Sequence, residues 1–190
     1  MVSDGNEIIS LALKALGYSI NEGNTDALNQ ATQLLCKQKR YVRSYQYISV
    51  GADSEILSDE LWMTMAYNGD ALMVMAHDTQ GLLAFSIPKE GTNLWADYLT
   101  VGAKSRRPDL AHAFINFLNR PVNAAQLALY ANYATPNNRA KKLVSEDYLN
   151  NPIIFPSDDV LLKSEQFHPI PPKQLKQRNA ISAKLVGSGR

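Results

Sequence analysis

Ala84-Phe-Ser-Ile-Pro-Lys-Glu-Gly-Thr-Asn-Leu-Trp-Ala-Asp-Tyr-Leu-Thr-Val-Gly102 reads as a short apolar strand, a Pro-Lys-Glu-Gly turn and a second strand starting at Leu94. At the head of that second strand, Trp95 and Asp97 lie two residues apart. In a β-strand this spacing puts both side chains on one face. An indole beside a carboxylate is a receptor for an organic cation. The indole face attracts an ammonium group by about 0.5–2 kcal/mol, and the carboxylate adds a charge-assisted hydrogen bond. The plainer alternative is a buried tryptophan and a turn aspartate that happen to be neighbours.

Working outward from this stretch, helices and strands alternate, which indicates an α/β fold. Upstream, Ser3 or Asp4 can cap a helix over residues 5–16, which Gly17 stops. A polar link precedes a second amphipathic helix over 26–38, with Leu28, Ala31, Leu34 and Leu35 inward. Residues 41–50, rich in Tyr, Val and Ile, read as a strand and its exit, and residues 54–58 as a short helix. Leu61-Trp-Met-Thr-Met-Ala-Tyr67 reads as a buried strand broken by Asn68-Gly69, with a helix over 70–77 and another strand over 82–87. Downstream, Pro108 opens a helix that ends near Asn119, and a further helix covers 122–130. Asn132-Tyr-Ala-Thr-Pro-Asn-Asn138 has turn chemistry; short helical pieces at 138–144 and 146–149 and a last helix over 173–185 complete the chain.

A chain of 190 residues can bury a core as one domain or two small lobes, and 45% hydrophobic with 19% charged residues is ordinary globular composition. The net charge of +1 argues against broad electrostatic binding to nucleic acid or membrane. No run of 18 apolar residues exists, and Met1-Val-Ser-Asp-Gly-Asn-Glu7 lacks the basic start and apolar core of a secretory signal. Cys36 is the lone cysteine and is expected to be a small core residue.

Catalytic signals are weak. His77, His112 and His168 sit in unrelated contexts, and no nucleophile elbow, phosphate loop, dinucleotide fingerprint or metal-ligand cluster is visible. The expectation is therefore a non-enzyme with no cofactor and no metal. Carboxylates and aromatics at element ends say more. Asp4 and Glu7 share a face at a helix start, where Asp-x-x-Glu also reads as a capping box. Tyr67 ends an apolar strand, where ligands of open α/β sheets gather. Tyr133, in a polar loop, is a hydrophobic plug or a ligand wall.

In register, these motifs resemble the polyamine-binding periplasmic proteins, the spermidine/putrescine receptors of ABC transporters. The resemblance rests on Leu61-Trp-Met-Thr-Met-Ala-Tyr-Asn-Gly-Asp70, Pro88-Lys-Glu-Gly-Thr-Asn-Leu-Trp-Ala-Asp97 and Ala113-Phe-Ile-Asn-Phe-Leu-Asn-Arg-Pro121. Asn132-Tyr-Ala-Thr-Pro-Asn137, with Asn132 in place of the family's Gly, and Ser3-Asp-Gly-Asn-Glu7 with Ala15-Leu-Gly-Tyr-Ser19 extend it. It implies a type 2 periplasmic-binding-protein fold, incomplete, in which 1–95 and 142–190 belong to lobe two and 96–141 is a fragment of lobe one.

The same resemblance implies ligand roles for Asp4, Glu7, Trp95, Asp97 and Tyr133. Tyr67 stands where the family commonly has Trp. Asp70 replaces a small residue, and its direction is not readable; nor is the role of Gln166 and Phe167. The implied function is capture of putrescine or spermidine for ABC-transporter uptake, in the periplasm, with the permease as partner. A missing N-terminal half, or self-association in its place, is also expected. Alternatives are a polyamine-sensing domain acting on a signalling partner, or a non-binding interaction module of the same fold.

Overall fold

The computed structural model describes residues 2–58 and 60–186. The chain divides into two compact units. The first comprises residues up to Ala66, Ser86–Trp95 and everything from Asp158 on; the second is Tyr67–Phe85 and Ala96–Ser157.

The first unit is built on α1 (Gly5–Ala15), α2 (Thr25–Gln38) and α8 (Pro172–Val186). Asp4 caps α1, its Oδ1 accepting from the backbone N–H of Asn6 at 2.7 Å and of Glu7 at 3.4 Å. The helix stops because Gly17 takes φ +82°. Its N–H then bonds Lys14 O and that of Tyr18 bonds Leu13 O, closing the last turn. Asn24 caps α2 in the same way, accepting from Asp26 and Ala27. Ile8, Ile9 and Leu13 of α1 meet Leu28, Ala31 and Leu35 of α2 and Leu185 of α8 in a dry core. Alanine at 12, 27 and 31 lets the helices approach closely. Gly5 does the same against Ser182, whose side chain occupies the space a Cβ would need. Leu34, expected inside, is 37% exposed, and Cys36, expected in the core, is exposed as well.

One charged residue is fully inside this unit. Arg178 of α8, 1% exposed, donates from Nη1 to Ser10 Oγ and from Nη2 to the carbonyls of Ile20 and Glu22, each at 2.9 Å. Burial lowers its pKa, and the nearby Glu22 charge acts in the opposite sense. The guanidinium thereby ties the last helix to α1 and to the link that follows α1.

Among the described residues the only sheet is a parallel pair in this unit, β1 (Asn93–Leu94) with β2 (Glu165–Gln166), in register Asn93 to Glu165 and Leu94 to Gln166. The short helix α7 (Asp158–Lys163) leads into β2. The strands expected over 41–50, 61–67 and 82–87 are not formed. Trp62 and Met63, expected inside, are 93% and 82% exposed; Met65 alone of that segment packs on the core. Apolar and β-branched content favours an extended chain. It becomes a strand only beside another strand that supplies the ladder, and two or three such neighbours are needed for a stable sheet. No ladder partner for these segments occurs among the described residues.

The second unit is helical: α3 (Asn68–Met75), α4 (Pro108–Leu118), α5 (Pro121–Ala131) and α6 (Glu146–Leu149), with a 3₁₀ turn at Ala140–Leu143. Proline opens both α4 and α5, where its missing N–H costs nothing. Asn132 ends α5 at φ 54°. This explains how Asn serves where the resembled family has Gly, since Asn tolerates the left-handed conformation. Ala128, Tyr148 and Ile154 form the core, backed by Leu72, Val144, Leu149 and Phe155. Tyr148 and Phe155 meet edge to face at 5.5 Å. No described helix is long and apolar enough to cross a membrane.

Candidate functional site

Three polar residues, Asp70, Asp97 and Tyr133, belong to the second unit. Asn68 starts α3 and anchors it, donating from Nδ2 to Ile153 O at 2.9 Å. Gly69, next in the chain, is buried because the Tyr133 ring lies on it. A Cβ there would stand 2.7 Å from Tyr133 Cε1 and would also strike Ala131 O. Glycine at 69 is thus what lets the loop after α5 lay its aromatic ring on the first turn of α3. Tyr148 holds the loop from the other side, its hydroxyl donating to Tyr133 O.

The Tyr133 phenol is half-buried, and its pKa is pushed up to about 12, by burial first and then by the negative charges of Asp70 and Asp97. Both carboxylates therefore act on the same phenol. Asp70 is half-buried in the first turn of α3, and Asp97 is exposed. A half-buried ring on which two carboxylate charges act offers an ammonium group a polarised face in a negative local field. Tyr67 stands at the N-cap of α3 with extended backbone, φ −68° and ψ 147°, two residues before the glycine that seats Tyr133.

The first unit holds the other candidates. Asp4 and Glu7 begin α1, and at least one oxygen of Asp4 is spent on capping, as the local alternative expected. Trp95, 40% exposed, follows β1 directly. The strand expected to carry Trp95 and Asp97 on one face ends at Leu94, because β2 pairs with only two residues. Trp95 and Asp97 therefore do not share a strand face. Trp95 closes the Ser86–Trp95 stretch of the first unit, and Asp97 belongs to the second.

The Pro-Lys-Glu-Gly turn has a structural reason. Gly91 has φ +89°, its N–H bonds Pro88 O at 2.9 Å, and Lys163 O fills the place of its absent Cβ. The chain can then run against residues 163–165: Thr92 N–H donates to Ser164 Oγ at 3.1 Å, and Glu165 N–H donates to Thr92 O at 3.0 Å. Composition did not reveal Asp70 as a member of the cluster. Its only signal is its position, directly after Asn-Gly at a helix start. Among the described residues no group of three or more His, Cys, Asp or Glu could hold a metal ion.

Comparison with known proteins bears on these arrangements. The sequence profile of the bacterial extracellular solute-binding proteins matches residues 1–156. The chain is 25% identical over 188 residues to the putrescine/agmatine-binding protein of Pseudomonas aeruginosa, covering 97% of this chain and 51% of that one. It is 30% identical over 165 residues to the spermidine/putrescine-binding periplasmic protein of Salmonella typhimurium, covering 87% of this chain and 46% of that one. A solved structure assigned to a spermidine/putrescine ABC transporter of Listeria monocytogenes superposes with a TM-score of 0.81 at 28% identity, covering 97% of this chain and 56% of that one. The spermidine/putrescine substrate-binding protein PotD of Streptococcus pneumoniae superposes with a TM-score of 0.73 at 25% identity. The chain thus spans about half the length of the relatives it matches, and its fold is a partial periplasmic-binding fold, as expected. The names of these relatives describe solute-binding proteins. With the profile matching most of its length, this chain belongs to the family of bacterial extracellular solute-binding proteins.

Proposed function

We propose that this chain captures polyamines such as putrescine or spermidine, as part of a periplasmic receptor that delivers them to an ABC-transporter permease. The observation that carries the reading is the Tyr133 ring seated on Gly69 with the charges of Asp70 and Asp97 acting on it. A polyamine presents cationic amines separated by short alkyl runs. Carboxylates suit the amines, and aromatic faces suit both the charge and the methylenes. Asp97, Asp70 and Tyr133 are assigned to one amine. Trp95, Tyr67, Asp4 and Glu7 enter on the family resemblance. The names of the relatives support the substrate class, the transporter partner and the periplasmic location.

Calorimetry of this protein with putrescine and with spermidine tests the reading. Asp97→Asn is expected to weaken amine binding by about 1 kcal/mol, since the carboxylate is exposed and an exposed ion pair contributes about 0.2–1 kcal/mol. Sugars and anionic amino acids are expected to give no heat. Equal affinity in wild type and Asp97→Asn would remove Asp97 from the site, and stabilisation by neutral or anionic compounds alone would remove the substrate class.

The apolar side of α4 bears on partners. Leu110, Phe114 and Phe117 are 58%, 57% and 46% exposed. Apolar surface left in water is unfavourable by about 25 cal/mol per Å², and such patches usually meet a partner. Self-association of the isolated chain is the expected result in sedimentation velocity. A monomer that stays monomeric as concentration rises would count against it.

A further inference from the structure

We propose that Glu165 is a positioning residue for Trp95, acting through the short parallel pair that ends at the indole. The inference rests on the assignment of Trp95 to the amine site. Trp95 is the residue directly after β1, so its placement follows from where β1 lies. A ladder of two residues per strand cannot hold itself in place. What holds it is on the far side of β2, in the side chains of Lys14, Ser19 and Asn21, of which only Ser19 falls within the motifs that carry the family resemblance.

Glu165 is clamped from three directions, all within the first unit. Lys14 Nζ, at the end of α1, meets Oε1 at 2.5 Å; Ser19 donates its hydroxyl to Oε2; and the Ile20 N–H donates to Oε1 at 3.4 Å. Asn21 completes the clamp on the backbone. Its Nδ2 donates to Gln166 O at 2.9 Å, and its Oδ1 accepts from His168 N–H at 2.8 Å. The link that makes these contacts is fixed in turn by Arg178, through Ile20 O and Glu22 O. On its other edge β2 carries β1, in the register that sets Asn93 beside Glu165. The path from the helical core to the indole is therefore short: α1 and the 19–22 link hold Glu165, Glu165 holds β2, and β2 holds β1 with Trp95 at its end. Lys14 and Glu165 have side chains only 12% and 29% exposed, so the pair is shielded from much of the screening that weakens surface ion pairs.

The experiment uses the full chain with Trp62→Phe, which leaves Trp95 as the one indole of the two in the sequence. Acrylamide quenching of Trp95 is measured first, without ligand, and putrescine affinity second. Glu165→Gln is expected to change the quenching constant of Trp95 and to weaken putrescine by about 3–10-fold, with unchanged helical circular dichroism. Lys14→Met should do the same more mildly, and Lys14→Arg should restore both readouts. Leu28→Ala is the contrast. It opens the buried core of the same unit and lowers thermal stability, and it should leave Trp95 quenching where it was. Identical Trp95 quenching in Glu165→Gln and the parent overturns the proposal. So does a Leu28→Ala protein whose Trp95 changes as much as that of Glu165→Gln. If Glu165→Gln does not fold, the two Lys14 variants decide by the same criteria. If the parent binds no amine, the reading of the site fails, while the quenching series still decides whether Glu165 positions Trp95.

Discussion

Arg178→Met is expected to destabilise the protein by about 2–4 kcal/mol. The guanidinium serves three acceptors at once: Ser10 Oγ and the carbonyls of Ile20 and Glu22. Methionine follows the aliphatic path of arginine but donates nothing. Ile20 O keeps one partner, the Ser10 hydroxyl at 3.0 Å, whereas Glu22 O loses its bond to Nη2. A buried acceptor stripped of its donor costs about 1–3 kcal/mol, and bonds from charged donors contribute about 1.5–3 kcal/mol each. Two effects limit the total. Nε of Arg178 is buried without a partner among the described residues, and desolvation of the cation already opposes the native state. Arg178→Lys should cost nearly as much as Arg178→Met, because one ammonium cannot reproduce the planar fork that reaches three acceptors. Urea unfolding followed by far-UV circular dichroism reads both. A midpoint for Arg178→Met within error of wild type would mean that the fork fixes nothing that packing does not already fix.

Apart from α7, over which the sequence gives no helix, the helices of this chain were legible because their signals are local. Asp4 and Gly17 act within a turn of their own position, and the apolar spacing of Ile8, Ile9, Leu13, Leu28 and Leu35 needs no knowledge of the partner. The strands were not legible for the converse reason. Residues 41–50, 61–67 and 82–87 have strand-like composition, yet a strand is a relation between two segments, and composition describes one. β2 was missed from the other direction: Glu165-Gln166 has no strand propensity, and pairs because Gly91 brings the chain against Lys163.

The candidate site divides along the same line. The family motifs pointed to Tyr133 and Asp97. Where Asp70 points depends on how the first turn of α3 is held, and one anchor of that turn, the Asn68 bond to Ile153 O, comes from 85 residues away in sequence. Arg178 is one cation among several in the last helix, and its partners at Ser10, Ile20 and Glu22 lie more than 150 positions earlier. Long-range acceptors of this kind leave no mark on the residues around the donor.

Gly91→Ala is the substitution expected to cost the pair of short strands its register. At φ +89° an L-residue is strained by about 1–2 kcal/mol. Gly17, at φ +82° with nothing within 4 Å of where a Cβ would stand, isolates that strain, so Gly17→Ala should cost about 1–2 kcal/mol. At Gly91 a second term is added. The new methyl would overlap the carbonyl oxygen and carbon of Lys163, which are backbone atoms and cannot swing aside as a side-chain end does. Relief requires moving 91–94 away from 163–166, which breaks the Thr92 bond to Ser164 Oγ and the Glu165 bond to Thr92 O. Overpacking of this kind costs about 1–3 kcal/mol. Gly91→Ala should therefore cost about 2–5 kcal/mol in all. In the Trp62→Phe background it should also alter the emission of Trp95, which directly follows β1 and moves with it. Comparing the urea midpoints of the two variants separates the terms. Equal losses in Gly17→Ala and Gly91→Ala would show that conformational strain accounts for both, and that the close approach of Gly91 to Lys163 does not hold β1 against β2.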